Sequence, residues 1–319
     1  MSQPLELPAL NGLDPLGFLA ALGVLRLLHD EAGMPARLSF DDRTATARLH
    51  SPLTSLEALT TTLVKVIDSV PADGVIPGVA AEFPTGKNGI GTDPMRVPRT
   101  TYRQHTDRIL GPQPTPIQQS WLACLITDLA ADSDGRAALS LFTAPTGQQS
   151  LRSAFHKPIT QVRKAPAARI HEALFKWQRI EGYTGENLDH RASRGAADHP
   201  SGQGGSAGVP GATWLALMAL PVLRLTGDTT RPKGTLWHRP GRRRPIMTWP
   251  VWRQALDLFA VRTLLEHPAL APVDTNGTIT VSSAGWEPLG VFAVAGATRT
   301  APDGSKSAGF LTPITIDTR

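Results

Sequence analysis

The stretch Asn11-Gly-Leu-Asp-Pro-Leu-Gly-Phe-Leu-Ala-Ala-Leu-Gly-Val-Leu-Arg-Leu-Leu-His29 decides how this chain begins to fold. The Asp14 carboxylate suits an N-cap, where it accepts free backbone N–H groups of the first turn. Pro15 then fits the first helical position, which needs no N–H. Residues 16–25 carry no charge, and apolar side chains run nearly all round the helix. A helix of that kind belongs at the centre of a core. It is too short to span a membrane, which needs roughly 20 apolar residues, and Arg26 interrupts it. Gly17, Ala20, Ala21 and Gly23 predict close approach of a neighbouring backbone, despite a cost of about 1 kcal/mol for each helical glycine. Gly33 and Pro35 end the element.

Outward from this helix, residues 38–42 and 43–49 predict a hairpin around Asp41-Asp42. Residues 54–70 have helical periodicity through Leu56, Leu59, Leu63, Val66 and Ile67. Residues 71–115 are rich in glycine and proline and predict a long loop. Helices are expected at 116–131 and 166–179, and a strand at 136–142. Residues 181–211 form the clearest break in pattern, with His199-Pro-Ser-Gly-Gln-Gly-Gly-Ser-Ala-Gly-Val-Pro-Gly211 at its centre. A buried helix is expected at 212–225, with a kink at Pro221. A further helix is expected at 250–267, starting at proline. Strands at 278–282, 290–300 and 310–316 close the chain, the last two joined by a turn at Pro302-Asp-Gly-Ser. No internal repeat is present. The expected fold is α+β: a buried N-terminal helix, several helices packed on short antiparallel strands, and a β-rich C-terminus. It divides into lobes 1–181 and 212–319 joined by a glycine-rich loop or linker at 182–211, or forms one continuous domain.

Composition narrows the function classes. Apolar residues are 41% and charged residues 18% of 319, a globular balance rather than a disordered one. The net charge of +5 favours a polyanion partner, nucleic acid or an acidic protein. The single cysteine, Cys124, allows no intrachain disulfide and sits in an apolar helical run, where a core role is expected. The first residues lack the basic region of a signal peptide, and no transmembrane segment is expected. A cytoplasmic protein is the consistent expectation.

The chemistry-bearing patterns are few. Pro84-Thr-Gly-Lys87-Asn-Gly-Ile-Gly91 resembles a phosphate loop superficially. However, Ala81 holds the first glycine position and Asn88 replaces the Ser/Thr that would bind Mg²⁺. Lys87 is retained as a contact to a phosphate backbone. Asp189-His190 and Asp198-His199 place two Asp-His pairs nine residues apart. They could ligate a divalent metal for a nuclease, but the neighbouring arginines oppose a cation, and capping roles for the aspartates are favoured. No metal, cofactor or catalytic group is assigned.

Three basic stretches stand out. Arg96, Arg99, Arg103 and Arg108 surround Tyr102. Residues 151–180 carry Arg152, Lys157, Arg163, Lys164, Arg169, Lys176 and Arg179 against Glu172. Trp237-His-Arg239-Pro-Gly-Arg242-Arg243-Arg244 precedes Trp249 and Trp252. Arginine forks match phosphate geometry. The nucleic-acid candidates are therefore Lys87, Arg96, Arg99, Arg103, Arg163, Lys164, Arg169, Arg242, Arg243 and Arg244. The competing readings are a solvated basic face or a protein contact. The tryptophans are expected in the core.

The opening helix resembles the N-terminus of CRISPR-associated proteins from type I-G (formerly I-U) systems, which begin with an N-P-x-x-F/Y-L-A-x-x-G-x-L-x-L helix. Asp14 stands where that family often has Asn. Thr146-Gly-Gln-Gln-Ser-Leu151 and Asp189-His-Arg-Ala192 extend the similarity, followed by Pro210-Gly-Ala-Thr-Trp-Leu-Ala-Leu-Met-Ala-Leu-Pro221 and the late tryptophans. The chain is shorter than the large subunit of such systems. It looks like a small accessory member, or a stand-alone form of the module attached to the helicase-nuclease. The resemblance implies a non-catalytic component of the interference complex, with crRNA or target DNA and other Cas proteins as partners. A purely protein-binding adaptor and a metal-dependent nuclease remain the alternatives.

Overall fold

The computed structural model describes residues 3–81, 83–84, 98–132, 134–143, 151–194, 205–240, 244–275, 277–301 and 309–319. The N-terminal part runs β1 (Leu5–Asn11), α1 (Pro15–Arg26), β2 (Arg37–Phe40), β3 (Thr46–His50) and α2 (Leu56–Ser69). Next come α3 (Arg99–Leu110), α4 (Pro116–Leu125), β4 (Ile126–Ala131), β5 (Ala137–Leu139), α5 (Leu151–Arg163) and α6 (Pro166–Phe175). Short strands β6 (Ile180–Glu181), β7 (Ser193–Arg194) and β8 (Gly205–Gly208) precede α7 (Pro210–Met218). The C-terminal part holds β9 (Leu225–Gly227), β10 (Pro232–Gly234), β11 (Trp237–His238), β12 (Ile246–Trp252), α8 (Leu258–Leu265), β13 (Val273–Thr275) and β14 (Thr278–Val281). It ends with α9 (Trp286–Leu289), β15 (Val291–Thr300), β16 (Phe310–Ile314) and β17 (Asp317–Thr318). The fold is α+β, with small and mostly antiparallel sheets ordered β1-β3-β2, β6-β8-β7 and β11-β12-β15-β16, among others.

The opening helix forms as its sequence dictates. Asp14 accepts hydrogen bonds from the Leu16 and Gly17 amides, each at 3.0 Å, and Pro15 begins the helix. Every residue of α1 is buried, and α1 packs against α7, which is buried along its whole length. Gly23 makes this possible: a Cβ built there would lie 1.8 Å from the Leu215 carbonyl oxygen of α7. The α-helix stops at Arg26, short of the expected His29, and passes into a wider π turn at Leu27–Glu31. Arg26 is fully buried. It pairs with Asp30 at 3.1 Å and with Glu31, donates to the Met218 carbonyl, and lies 5.1 Å over the Trp121 ring. Leu22→Ala is expected to cost roughly 2–5 kcal/mol by leaving a cavity in this layer. Urea denaturation would measure it, and an unchanged midpoint would show that Leu22 is not packed as described.

One core takes residues from both sides of the 182–211 segment, including Phe18, Trp121, Phe155, Trp214, Trp249 and Trp252. The late tryptophans are core residues with satisfied indoles. Trp249 Nε1 donates to the Gly12 carbonyl at 2.7 Å, and Trp252 Nε1 to the Leu38 carbonyl at 2.8 Å. Cys124 is buried, and burial pushes its thiol well above the usual range, which suits packing rather than nucleophilic chemistry.

Several expectations need correction. The segment 116–131 is not one helix. It turns at Ile126 into β4, whose Ile126 and Thr127 pair with Leu139 and Ala138 of β5. The helix expected at 250–267 begins only at Leu258, capped by Asp257. Its first residues belong to β12, which is buried at all seven positions. Pro250 is tolerated there because, among the described residues, β11 pairs with β12 at Ile246 and Met247, which leaves no ladder partner for the proline on that side. The helix expected at 212–225 ends at Met218, with a 3-10 turn through Pro221. The expected loop at 71–115 contains α3, and the segment expected as a linker contains β7 and β8, paired to each other. No helix among the described residues is long and apolar enough to cross a membrane.

Candidate nucleic-acid interface

The arginines that looked most available in the sequence are largely spent inside the fold. Arg163 donates to four backbone carbonyls, of Val70, Pro71, Ala72 and Gly74, at 2.8–3.4 Å. These carbonyls follow the C-terminus of α2, where backbone acceptors lack helical partners. Arg152 donates to the Ala81 and Asp73 carbonyls, and Arg169 pairs with Glu172 at 2.8 Å. Arg179 pairs with Asp189 at 2.7 Å. The 151–180 stretch is thus mainly a set of structural clamps, although Lys164 is exposed. On α3, Arg103 pairs with Asp128 of β4, and Arg99 is partly buried at the helix start. Lys87, Arg96, Arg242 and Arg243 lie outside the described residues, as do Asp198 and His199.

The aspartate of the first Asp-His pair serves structure. Asp189 is almost wholly buried, caps a 3-10 turn by accepting from the Arg191 amide at 3.0 Å, and balances Arg179. Burial holds the His190 imidazole below its ordinary range. No group of three or more His, Cys, Asp or Glu side chains converges to hold a metal among the described residues.

A different cluster is open. Hairpin β9–β10 turns at Asp228, whose side chain accepts from the Arg231 amide at 3.1 Å and so fixes the tip. An antiparallel register of Pro232 with Gly227 then places Arg231 at the tip and Lys233 on the second strand. β11 pairs Trp237 with Met247 and His238 with Ile246. That pairing brings Arg239, just after β11, and Arg244, just before β12, to the same end of the sheet. Arg231, Lys233, Arg239 and Arg244 are all exposed. Lys233 pairs with Asp228 at 3.4 Å. The three arginines make no ion pair among the described residues.

These cations edge two adjoining cavities. One, of about 440 Å³, is lined by Arg231, Lys233, Arg239 and Pro240 around Trp237 and His238. The other, of about 570 Å³, is lined by Arg244, Arg136, Asp132 and Thr230 around the same Trp237. Leu141, Pro232, Trp237 and Pro245 belong to both, so the two form one groove with an apolar floor. Trp237 is 8% exposed and packs edge-on against Phe142 at 5.6 Å. Its Nε1–H has no acceptor among the described residues. Chemically the groove offers guanidinium forks for phosphates above an apolar floor, the pattern of a single-strand track.

Of the sequence candidates among the described residues, Arg244 alone lines this groove. The unplaced Arg242 and Arg243 lie in the chain between Pro240 and Arg244, which both line it. Arg231 and Lys233 were missed. Their one local signal is Asp228-Thr-Thr-Arg-Pro-Lys233, a turn followed by two cations around a proline. No protein-family model matches the chain, and no curated protein matches it.

Proposed function

We propose that this chain is a non-catalytic, nucleic-acid-contacting subunit or accessory factor of a type I-G CRISPR interference complex. The groove at Trp237 supports the contact: three exposed arginines that make no ion pair among the described residues edge one apolar-floored track. The blocks at 11–29, 189–192 and 210–221 support the system by their resemblance. In this reading guide RNA or target DNA lies along the groove, and other Cas proteins cover further surface. The bound strand is single, since sequence-tolerant tracks of this kind combine phosphate contacts with apolar surface for unpaired bases.

Anisotropy of labelled single-stranded RNA and DNA tests the contact. Binding is expected to weaken steeply with salt, because each phosphate contact releases counterions. Replacing Arg231, Arg239 and Arg244 together by Gln is expected to make the log–log salt slope shallower by about 2. An unchanged slope would move the contact elsewhere on the surface. No binding of the wild type at low salt, with co-purification of the operon's other proteins intact, would leave a protein-binding adaptor. Failure of that co-purification would remove the CRISPR assignment itself.

A further inference from the structure

We infer that the cavity of about 320 Å³ adjoining this groove, between β10, β11, β12 and the segment after α8, takes a single unstacked nucleobase from the strand. This rests on the groove reading, because Lys233 and His238 line both the cavity and the groove. A strand held by Arg231 and Arg239 therefore passes the cavity mouth.

The cavity's interior is built for a flat, neutral, polar-edged ligand. Leu236, Leu265, Leu270 and Pro250 give buried apolar walls. Thr248 stands among them, 3% exposed. Its amide donates to the Leu236 carbonyl at 2.9 Å, but its hydroxyl has no hydrogen-bond partner among the described residues. A buried polar group left unpaired costs free energy, so such a group calls for an explanation. An incoming ligand edge supplies one.

His238 adds a second neutral polar group. Burial lowers its basicity, so near neutral pH the ring has one donor and one acceptor nitrogen. A threonine hydroxyl likewise both donates and accepts. Base edges carry mixed donors and acceptors, and unpaired bases are read by such edge contacts. A phosphate would instead need cations within. The cations here are Lys233 and Arg224, both exposed, and Arg224 is already ion-paired with Glu266. The volume lies at the lower end for ligand pockets and suits one base rather than a stacked run.

Thr248→Val is a clean probe. It keeps the shape and removes only a hydroxyl that bonds to none of the described residues, so the thermal midpoint should not fall. The test measures affinities for single-stranded homopolymers of about 12 nucleotides: oligo(A), oligo(C) and oligo(U) RNA, and oligo(dT). Wild type is expected to favour one base by about fivefold or more. Thr248→Val is expected to compress that preference to about twofold or less by weakening the favoured ligand. Equal wild-type affinity for all four, or a preference untouched by Thr248→Val, would overturn the base pocket while the groove stands. If wild type binds none of them at low salt, the groove reading itself fails.

Discussion

Replacing Arg299 by Met is expected to cost about 4 kcal/mol of folding stability, far more than its position near a surface groove implies. Arg299 lies on β15 and has no carboxylate partner among the described residues. Its guanidinium instead donates to four backbone carbonyls. These are Phe142 at 2.7 Å, Asn187 at 2.8 Å, Gly309 at 3.1 Å and Leu141 at 3.3 Å. Burial pushes its pKa down to about 10, still far enough above neutral for the group to stay charged. Hydrogen bonds from a charged donor contribute about 1.5–3 kcal/mol each. The total is discounted because the side chain is only half-buried. Methionine fills the volume but removes the one donor that these four carbonyls share. Lysine keeps the charge but not the planar fork, and should recover part of the loss.

The same residue couples stability to the groove. Leu141 lines both cavities, Arg299 lines the larger, and Phe142 packs against Trp237. Arg299→Met should therefore weaken single-strand binding even under conditions where the variant remains folded. Urea unfolding with an unchanged slope and a lower midpoint would report the stability term. A variant within about 1 kcal/mol of wild type would show that the carbonyl cluster is satisfied in another way.

What was legible in the chain was whatever local chemistry decides. Asp14 and Pro15 announce α1 because cap and first turn lie within a few residues. The last strands were readable from β-branched runs, and Thr278–Val281, Val291–Thr300 and Phe310–Ile314 form close to where expected. Pro250 misled because a proline at a helix start and a proline on a free strand edge look alike in sequence. The choice between them depends on where β11 stops pairing. Helix α5 was hidden by its charges, although Leu151, Phe155, Ile159 and Val162 line one buried face. Arg163 was misread for a related reason. Its acceptors sit 89–93 residues earlier, just after α2, and no local pattern marks them. The groove is the extreme case. Arg231 and Arg244 meet the same tryptophan only through the β9–β10 and β11–β12 registers.

Gly23→Ala should show the opposite of the usual rule. In an isolated helix this change is favourable by about 1 kcal/mol. Here the new Cβ would meet the Leu215 carbonyl oxygen at 1.8 Å and its carbon at 2.7 Å. Both atoms are backbone, so no rotamer change relieves the clash; α1 and α7 must separate. Separation strips dispersion contacts from the buried side chains of both helices, and overpacking of this kind costs about 1–3 kcal/mol or more. The clash is severe and the interface is the centre of the core, so a net loss of about 3 kcal/mol is expected, with a lower thermal midpoint. A midpoint equal to or above wild type would refute the close approach of the two helices. Binding separates this effect from function. Neither helix lines the groove, so Gly23→Ala should lower the folded fraction while the affinity per folded molecule stays unchanged. Loss of affinity at full folding would instead place the opening helix in the binding machinery, a role that its apolar, buried surface gives it no chemistry to fill.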